Sequence, residues 1–242
     1  AFNLVPKTGG NTFTGTFFGN LAGEWSQGNN VDDELRSFGI PNPAAIIRSW
    51  DTSFAMGGPI KRDKVWFFWT GRHVGSRNKV AGIFRNLNAG DPTKWTYLPA
   101  DGQEGRPLEQ AVDDNTTKNS SIRLTWQASP RNKFGVWWDE QKTCQSCVGG
   151  GAAGSAALTV GSLALEADGS IHNPIRMVQL QWTSPFSNKL RREAQVGLGP
   201  DAWLGDKQRK DGYNADLIEV QESAVVVPGI SYRGQDAQRN YG

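Results

Sequence analysis

The chain has 242 residues, of which 26 are Lys or Arg and 24 are Asp or Glu, so its formal net charge is only +2. The charges are spread along the chain without a basic patch, which argues against a nucleic-acid partner. No run approaches the roughly 18 apolar residues of a transmembrane helix, and ten Trp with 29 Gly favour a mostly β fold.

We expect the chain to be an excerpt of a longer protein. It opens on Ala1 instead of Met and ends on Arg-Asn-Tyr-Gly, inside what the pattern predicts to be a loop. A charged segment followed by an apolar one, as in a secretion signal, is not found at its start.

The first three predicted strands lie around a short, strongly charged turn. They cover Phe13 to Gly19, Trp50 to Met56 and Val65 to Arg72, and the turn falls at 60–63. The turn leads directly into Val-Trp-Phe-Phe-Trp. In a soluble protein such a band is a buried core strand, whereas in an outer-membrane barrel it enters lipid through an aromatic girdle.

Two β-hairpins follow. In the first, Ile122, Leu124 and Trp126 alternate with polar residues, and a turn at 129–132 leads to Phe134, Val136 and Trp138. In the second, strands over 178–183 and 190–198 flank a Ser-Pro turn at 185–188. Alternation with a period of two places one apolar and one polar face on each strand.

The connections between these strands alternate between tight and long. Tight ones at 60–63, 129–132 and 185–188 alternate with long ones at about 21–49, 75–118 and 142–174. The first long loop is predicted to hold a short helix from about Asp32 to Phe38, capped by Asn30 or Asp32. Short turns at one end of a sheet and long loops at the other are typical of outer-membrane barrels. The sequence therefore predicts an all-β, antiparallel, up-and-down transmembrane barrel segment of about seven strands, incomplete in itself.

Several segments resemble a known family. NLVPKTGGNTFTGTFFGN, DDELRSFGIPNPAAIIRSWDTSFAMGGPIKRDKVWFF and SPRNKFGVWWDEQK are similar to the plug-to-barrel junction and first strands of TonB-dependent outer-membrane receptors of Gram-negative bacteria. The resemblance is greatest to the Oar-like receptors, which carry a carboxypeptidase-regulatory-like domain, and NADLIEVQES and PGISYRG resemble a following extracellular loop of that group.

The resemblance implies a domain division, a location and a mechanism. Residues 1–11 would end the plug or its linker, and 12–242 would form the N-terminal part of a barrel of about 22 strands. The protein would sit in outer-membrane lipid and take up a scarce ligand, with the TonB complex acting through more N-terminal parts. The ligand is not identified: siderophores, cobalamin, glycans and peptides are all open. This segment alone would not be competent for transport.

The polar faces of the predicted strands supply the candidate lumen-lining residues, which would contact either the plug or a ligand. They are Arg123, Gln127, Asp139, Gln179, Gln181, Arg191, Glu193 and Gln195. Most other Trp residues, including Trp66, occupy strand positions expected of an aromatic belt. Trp25, Trp95 and Trp203 are predicted in loops and are candidates for ligand contact.

No catalytic, cofactor or metal site is expected. Cys144 and Cys147 form Cys-Gln-Ser-Cys, but neither His73 nor His172 lies near them in sequence to complete a metal site, so a loop disulfide is favoured. Asp139 and Glu140 are adjacent and point to opposite faces of a strand, which argues against an acid-base pair. Gly-x-Ser-x-Gly and His-Glu-x-x-His motifs do not occur, so the protein is not expected to be an enzyme.

Two alternatives remain open. The chain would also suit a secreted, Trp-rich β-sandwich that binds carbohydrate or acts as an adhesin, or a small complete barrel that serves as an anchor. A sandwich would fold as a soluble monomer in plain buffer, whereas a barrel segment would require detergent.

Overall fold

The structure, a computed structural model, describes residues 7–28, 31–37, 42–88, 93–94, 96–145, 167–186, 190–199, 206–209, 220–221, 231–232 and 236–237. The described part is almost entirely antiparallel sheet. Its strands are β1 (Thr14–Gly23), β2 (Ala45–Lys61), β3 (Val65–Phe84), β4 (Gln110–Ser129), β5 (Asn132–Gln145), β6 (Ala167–Pro185), β7 (Arg191–Leu198), β8 (Asp206–Arg209), β9 (Val220–Gln221), β10 (Ser231–Tyr232) and β11 (Asp236–Ala237). A 3₁₀ turn (Glu24–Ser26) and α1 (Asp33–Ser37) are its helices.

The sheet follows chain order from β1 to β6, and each strand is antiparallel to the next. β7 pairs with Val178–Pro185 of β6, whereas β8 pairs with the opposite end of β6, around Ala167–Ile171, and then with β11. β9 and β10 form a separate pair. The prediction of seven up-and-down strands in an all-β fold is confirmed, and the described sheet is not closed.

The strands are longer than predicted. β3 and β4 each have 20 residues, so the strand pairing continues well past Arg72 and begins well before Ile122. The long connection expected at 75–118 was therefore wrong in extent, and the chain between these strands is 85–109. The reason is that Thr116-Thr117-Lys118-Asn119 is polar on both faces, and the facing Arg72-His73-Val74-Gly75 has no apolar alternation. Backbone pairing persists there after the hydrophobic alternation has ended.

The alternation of tight and long connections is confirmed. β2 joins β3 through 62–64 and β4 joins β5 through 130–131, whereas 24–44 and 85–109 occupy the other end. The predicted helix is present as α1. Asp32 caps it, since its Oδ1 accepts a hydrogen bond from the Leu35 amide at 2.9 Å.

Asn11 fixes the tight turn after β2 to the start of the chain. Its Oδ1 accepts hydrogen bonds from the Asp63 amide at 3.0 Å and from Trp66 Nε1 at 2.7 Å, and its Nδ2 donates to Asp63 Oδ1 at 2.6 Å. Asp63 has a φ of 60°, a left-handed conformation that Asp tolerates better than most residues. The segment before β1 is therefore held beside the turn end of the sheet.

The most completely buried apolar residues lie in the connection between β3 and β4 and in the strand ends beside it. Ile83 and Ala100 are 1% and 0% exposed, and the equally buried Asn86 accepts hydrogen bonds at its Oδ1 from the amides of Asn88 and Leu98, both at 3.0 Å. Tyr97 Oη donates to the Phe84 carbonyl at 2.9 Å. We call the described residues of 83–109 the loop core, because these contacts pack them against one another.

The loop core should loosen on acidification. Asp101 accepts hydrogen bonds from Arg106 Nε at 3.0 Å and from the Gln103 amide at 3.0 Å, and the Arg106 contact is the main reason that the pKa of Asp101 lies below its usual 3.8. A carboxylate whose pKa is lowered in the folded state stabilises that state above its ordinary pKa. This contribution is lost as the pH falls through the folded value.

We therefore expect amide-exchange protection at Gln103 to fall as the pH drops below about 4. Asp101→Asn should remove this pH dependence and leave protection low throughout. Asp33→Asn, which changes an exposed carboxyl in α1, is the control and should keep the wild-type profile. A wild-type profile in Asp101→Asn would contradict the assignment.

Candidate functional site

Cross-strand pairing divides the side chains of the sheet between two faces. Residues directly opposite each other in paired strands lie on the same side, so the register assigns every strand position. Trp69, Ile122, Trp138 and Val178 form one such row, and Phe68, Arg123, Trp137 and Gln179 form the next, on the other side. We call the first side the apolar face and the second the polar face.

The apolar face is exposed. Leu124, for example, is 42% exposed. The other exposed large apolar side chains on this face are Phe13, Phe17, Leu21, Met56, Trp69, Trp126, Phe134, Val136, Leu180, Val196 and Leu198. No second layer covers these side chains among the described residues. The apolar face is therefore a continuous hydrophobic surface that crosses β1 to β7.

The polar face is the buried one. Arg123 is 6% exposed and Thr125 is 2% exposed, and Gln179 and Trp137 are also buried. Part of this burial comes from the N-terminal segment, since Thr8 lines the same cavity as Arg123 and Thr125.

All eight candidate lumen-lining residues lie on this polar face. The register pairs Asp139 with Ser121, Gln195 with Gln181, and Arg191 with Pro185. Four further candidates are paired with other positions of the polar face and therefore lie on it too: Arg123, Gln127, Gln179 and Glu193. The shared face was predicted from alternation, whereas their role stays a prediction.

Four of the eight form a hydrogen-bonded network across three strands. Arg123 Nη2 donates to Gln181 Oε1, and Gln181 Nε2 donates to Glu193 Oε1. Arg191 Nη2 then donates to Glu193 Oε2 at 3.0 Å. We call Arg123, Gln181, Glu193 and Arg191 the polar network. It links β4, β6 and β7, although β5 separates the first two in the sheet.

The other four are placed separately. Asp139 accepts a hydrogen bond from Asn119 Nδ2 at 3.0 Å, and Gln127 Nε2 donates to the Ser129 carbonyl at 2.7 Å in the tight turn. Gln179 is buried next to the network, and Gln195 is exposed on β7. The hydrogen bonds of Asp139 and Gln127 hold these two side chains on the polar face but do not connect them to the polar network.

A cavity of about 240 Å³ lies at the polar network. Its walls include Arg123, Gln181 and Arg191, together with Lys133 and Thr8 from outside the network. Sequence reasoning did not single out Lys133 or Thr8, because which residues share a cavity depends on the register across β4 to β6 and on the path of the N-terminal segment.

The N-terminal segment runs over the polar face to reach this cavity. Lys7 Nζ lies 5.9 Å from the centre of the Phe68 ring, and Phe68 is a polar-face position. Gly9 crosses so close that a β-carbon there would lie 2.1 Å from the Phe67 carbonyl oxygen. Only glycine fits at this crossing, which explains one of the two glycines in the Thr-Gly-Gly-Asn stretch.

The cavity is suited to binding rather than to acid-base chemistry. Three cations line it, Arg123, Lys133 and Arg191, and the hydroxyl of Thr125 is buried there without a hydrogen-bond partner among the described residues. Guanidinium, ammonium and hydroxyl groups donate hydrogen bonds to carboxylate or carbonyl oxygens. The arrangement therefore favours an oxygen-rich, anionic group against this part of the polar face.

The other predicted residues divide between described and undescribed parts. Trp25 is exposed in the 3₁₀ turn, with its ring folded back over Gly23. Trp95, Trp203, Cys147 and the side chain of Cys144 lie outside what the structure describes. Trp66 was expected in the aromatic belt, but its pairing with Thr125 puts it on the polar face, because it is one residue out of phase with Val65 and Phe67.

Neither a search for membrane-spanning helices and metal-ligand groups nor a comparison with known proteins identifies a further functional feature of the described residues. Among the described residues, none of the helices is long and apolar enough to cross a membrane. The same residues contain no group of three His, Cys, Asp or Glu side chains arranged to hold a metal ion. Comparison with protein-family models, with curated proteins and with solved structures found no match.

Proposed function

We propose that the chain forms part of the barrel wall of a TonB-dependent outer-membrane receptor that takes up a scarce ligand. The apolar face would contact lipid, and the polar face would line the lumen. The observation that carries the proposal is the inverted burial in β4 to β6: Arg123, Thr125 and Gln179 are buried on the polar face, whereas Leu124, Trp126, Phe134, Val136 and Leu180 are exposed on the apolar face. The hydrophobic effect drives the reverse distribution in water.

Strand length supports the same proposal. Strands in globular proteins usually have 3–10 residues, whereas β3 and β4 each have 20. At roughly 3.3 Å per residue such a strand is about 66 Å long, more than a tilted strand needs to cross a bilayer. The apolar alternation occupies the turn-proximal part of each strand, and the polar remainder would project beyond the membrane.

The N-terminal segment supports a lumenal role for the polar face. Lys7, Thr8 and Gly9 lie against that face, and Asn11 anchors the segment to the turn after β2. In the proposed receptor these residues lead from the plug into the first barrel strand. The cationic cavity beside them would hold an oxygen-rich part of the plug or of a passing ligand, which is a binding task that requires no catalytic group.

A soluble β-sandwich fits these observations less well. A sandwich packs two sheets face to face through their apolar sides. The described residues offer only the two-residue strands β9 and β10 as a separate sheet, against an apolar face that spans seven strands. That sheet is too small to cover the face.

Cysteine accessibility in intact cells would test the proposal. In the complete gene, with Cys144→Ser and Cys147→Ser as background, single cysteines are introduced as Gln103→Cys, Leu124→Cys and Arg131→Cys. A membrane-impermeant maleimide applied from outside should label position 103 in the loop core. It should label position 131 only after the periplasm is opened, and it should not label position 124 until detergent is added.

Labelling of all three positions, on a protein found in the culture medium, would support the sandwich and overturn the receptor. Transport is tested separately by growth on a limiting nutrient in strains with and without TonB. Growth that depends on the protein but not on TonB would indicate a passive barrel or anchor instead.

A further inference from the structure

A shallow depression on the apolar face combines aromatic and basic side chains. Its volume is about 310 Å³, and its lining includes Gly71, which the Phe54 ring partly covers from the neighbouring strand. Phe54 and Trp69 form one wall, with ring centroids 4.7 Å apart in an edge-to-face arrangement. His73 and Lys118 form the other wall.

The basic wall belongs to a row of directly opposed residues. His73 pairs with Lys118, and Lys118 pairs with Lys142. We call these three residues the basic row. Like charges directly opposite each other destabilise an antiparallel pair, so the Lys118–Lys142 pairing carries a cost that a bound anion would offset.

The basic row is not neutralised by described residues. Neither lysine forms a salt bridge with the part of the chain that the structure describes. Glu140, one row nearer the tight turns on the apolar face, is already bound to Arg176 with Nε–Oε2 at 2.9 Å. Arg48 adds a further positive charge beside the row, and both it and Lys118 act electrostatically on His73.

The position along the strand matches a membrane interface. From Val65, where the apolar band begins, to His73 is eight residue steps, or about 27 Å along the strand. With the tilt of about 45° usual for membrane strands, the basic row would lie about 19 Å from that boundary, near the other edge of the band. Basic residues at such an edge attract anionic lipid headgroups.

We propose that this depression binds a phosphate-bearing lipid. The phosphate lies on Lys118 and Lys142, and an acyl chain lies in the groove beside the wall that Phe54 and Trp69 form together. The inference rests on the proposed function, since it requires the apolar face to be in a membrane. A lipid is favoured over free phosphate because the aromatic wall and the basic row lie side by side. A lipid would contact both of them, whereas free phosphate would contact only the basic row.

The test is native mass spectrometry of the full-length protein in micelles of a neutral detergent. Phosphatidylglycerol and phosphatidylcholine are added as competing lipids, and inorganic phosphate is added in a separate titration. Wild type should retain phosphatidylglycerol in preference to phosphatidylcholine. The affinity of the double variant Lys118→Gln/Lys142→Gln for phosphatidylglycerol should fall about 30-fold, since each lysine near the surface contributes about 1 kcal/mol. Lys64→Gln, at the opposite end of the sheet, is the matched control and should bind as wild type does.

Equal retention of the two lipids by folded wild-type protein would overturn the lipid site while leaving the receptor proposal intact. Inorganic phosphate that displaces the lipid at equal concentration would also overturn it, by showing that the groove adds no affinity. A protein that folds without detergent and binds no lipid would overturn both proposals.

Discussion

Leu124→Arg should lower the free energy of unfolding in a phospholipid bilayer by about 1–3 kcal/mol, because the cost of an Arg on the lipid side of a barrel is about 2–4 kcal/mol at the midplane and falls to about 0–1 kcal/mol near the interfaces. Leu124 lies within the apolar band, between Phe67 and Val136 in neighbouring strands, and Phe67 is two residue steps from the start of the band at Val65. A guanidinium there must leave water for hydrocarbon or thin the bilayer around it.

The matched control is Leu108→Arg. Leu108 is 54% exposed and Leu124 is 42% exposed, so a protein that is soluble in water should tolerate both changes equally. In a membrane only the change at Leu124 should be costly, because Leu108 lies in the loop core. Urea-induced unfolding from lipid vesicles, followed by Trp fluorescence, measures both variants. Equal and small effects would contradict the placement of the apolar face in lipid.

Gly71→Val should destabilise the sheet by about 1–3 kcal/mol, the usual cost of forcing extra atoms into an occupied space. A β-carbon on Gly71 would lie 2.4 Å from the Phe54 ring, which covers this glycine from the neighbouring strand. The valine would have to displace that ring, and with it the contact between Phe54 and Trp69.

Gly197→Val is the control, because a β-carbon there has nothing within 4 Å. It should change the free energy of unfolding by less than about 0.5 kcal/mol. Phe54→Ala should reduce the cost of valine at position 71, since it removes the ring that valine would strike. Wild type, Gly71→Val, Phe54→Ala and the protein with both changes form a double-mutant cycle. If the effects of the two changes on the free energy of unfolding were additive, the ring and the glycine would not be coupled.

Side-chain alternation made the faces of the sheet predictable. The register of Ile122 with Trp138 and of Leu180 with Val196 follows directly from the period of two and from tight turns that leave little freedom to slip. The eight polar candidates were assigned to one face for the same reason. Where one face is strongly apolar, a shift of one residue would invert it.

The hydrogen-bond partners within the polar face were not predictable. Arg123 contacts Gln181 across the width of β5, and this pairing depends on the offset of two strands that are not neighbours in sequence. Gly135, which lies between them, leaves the space that Arg123 fills, since a β-carbon there would be 3.2 Å from Arg123 Nη2. The glycine was visible in the sequence, but the residue that uses the space was not.

The loop core was missed for a different reason. Its segment is rich in Gly, Asp, Pro and Asn, a composition that usually indicates irregular loops. The buried Asn86 organises it by accepting two amide hydrogen bonds, so a polar residue performs the task that an apolar one has in an ordinary core. The stretch does contain apolar and aromatic residues, among them Ile83, Leu87 and Tyr97, but they show no regular period that would indicate packing.

The folding of the loop core also determines which kind of antibody would recognise its surface. Asn86 and Ala100 are hydrogen-bonded to other residues of the connection, since Asn86 accepts from the Leu98 amide and the Ala100 amide donates to the Arg85 carbonyl. Its surface is therefore a conformational epitope, and short linear peptides from this stretch would not reproduce it. A graft that keeps the ends of β3 and β4 paired should preserve the contacts of Asn86, Tyr97 and Ala100 on another carrier protein.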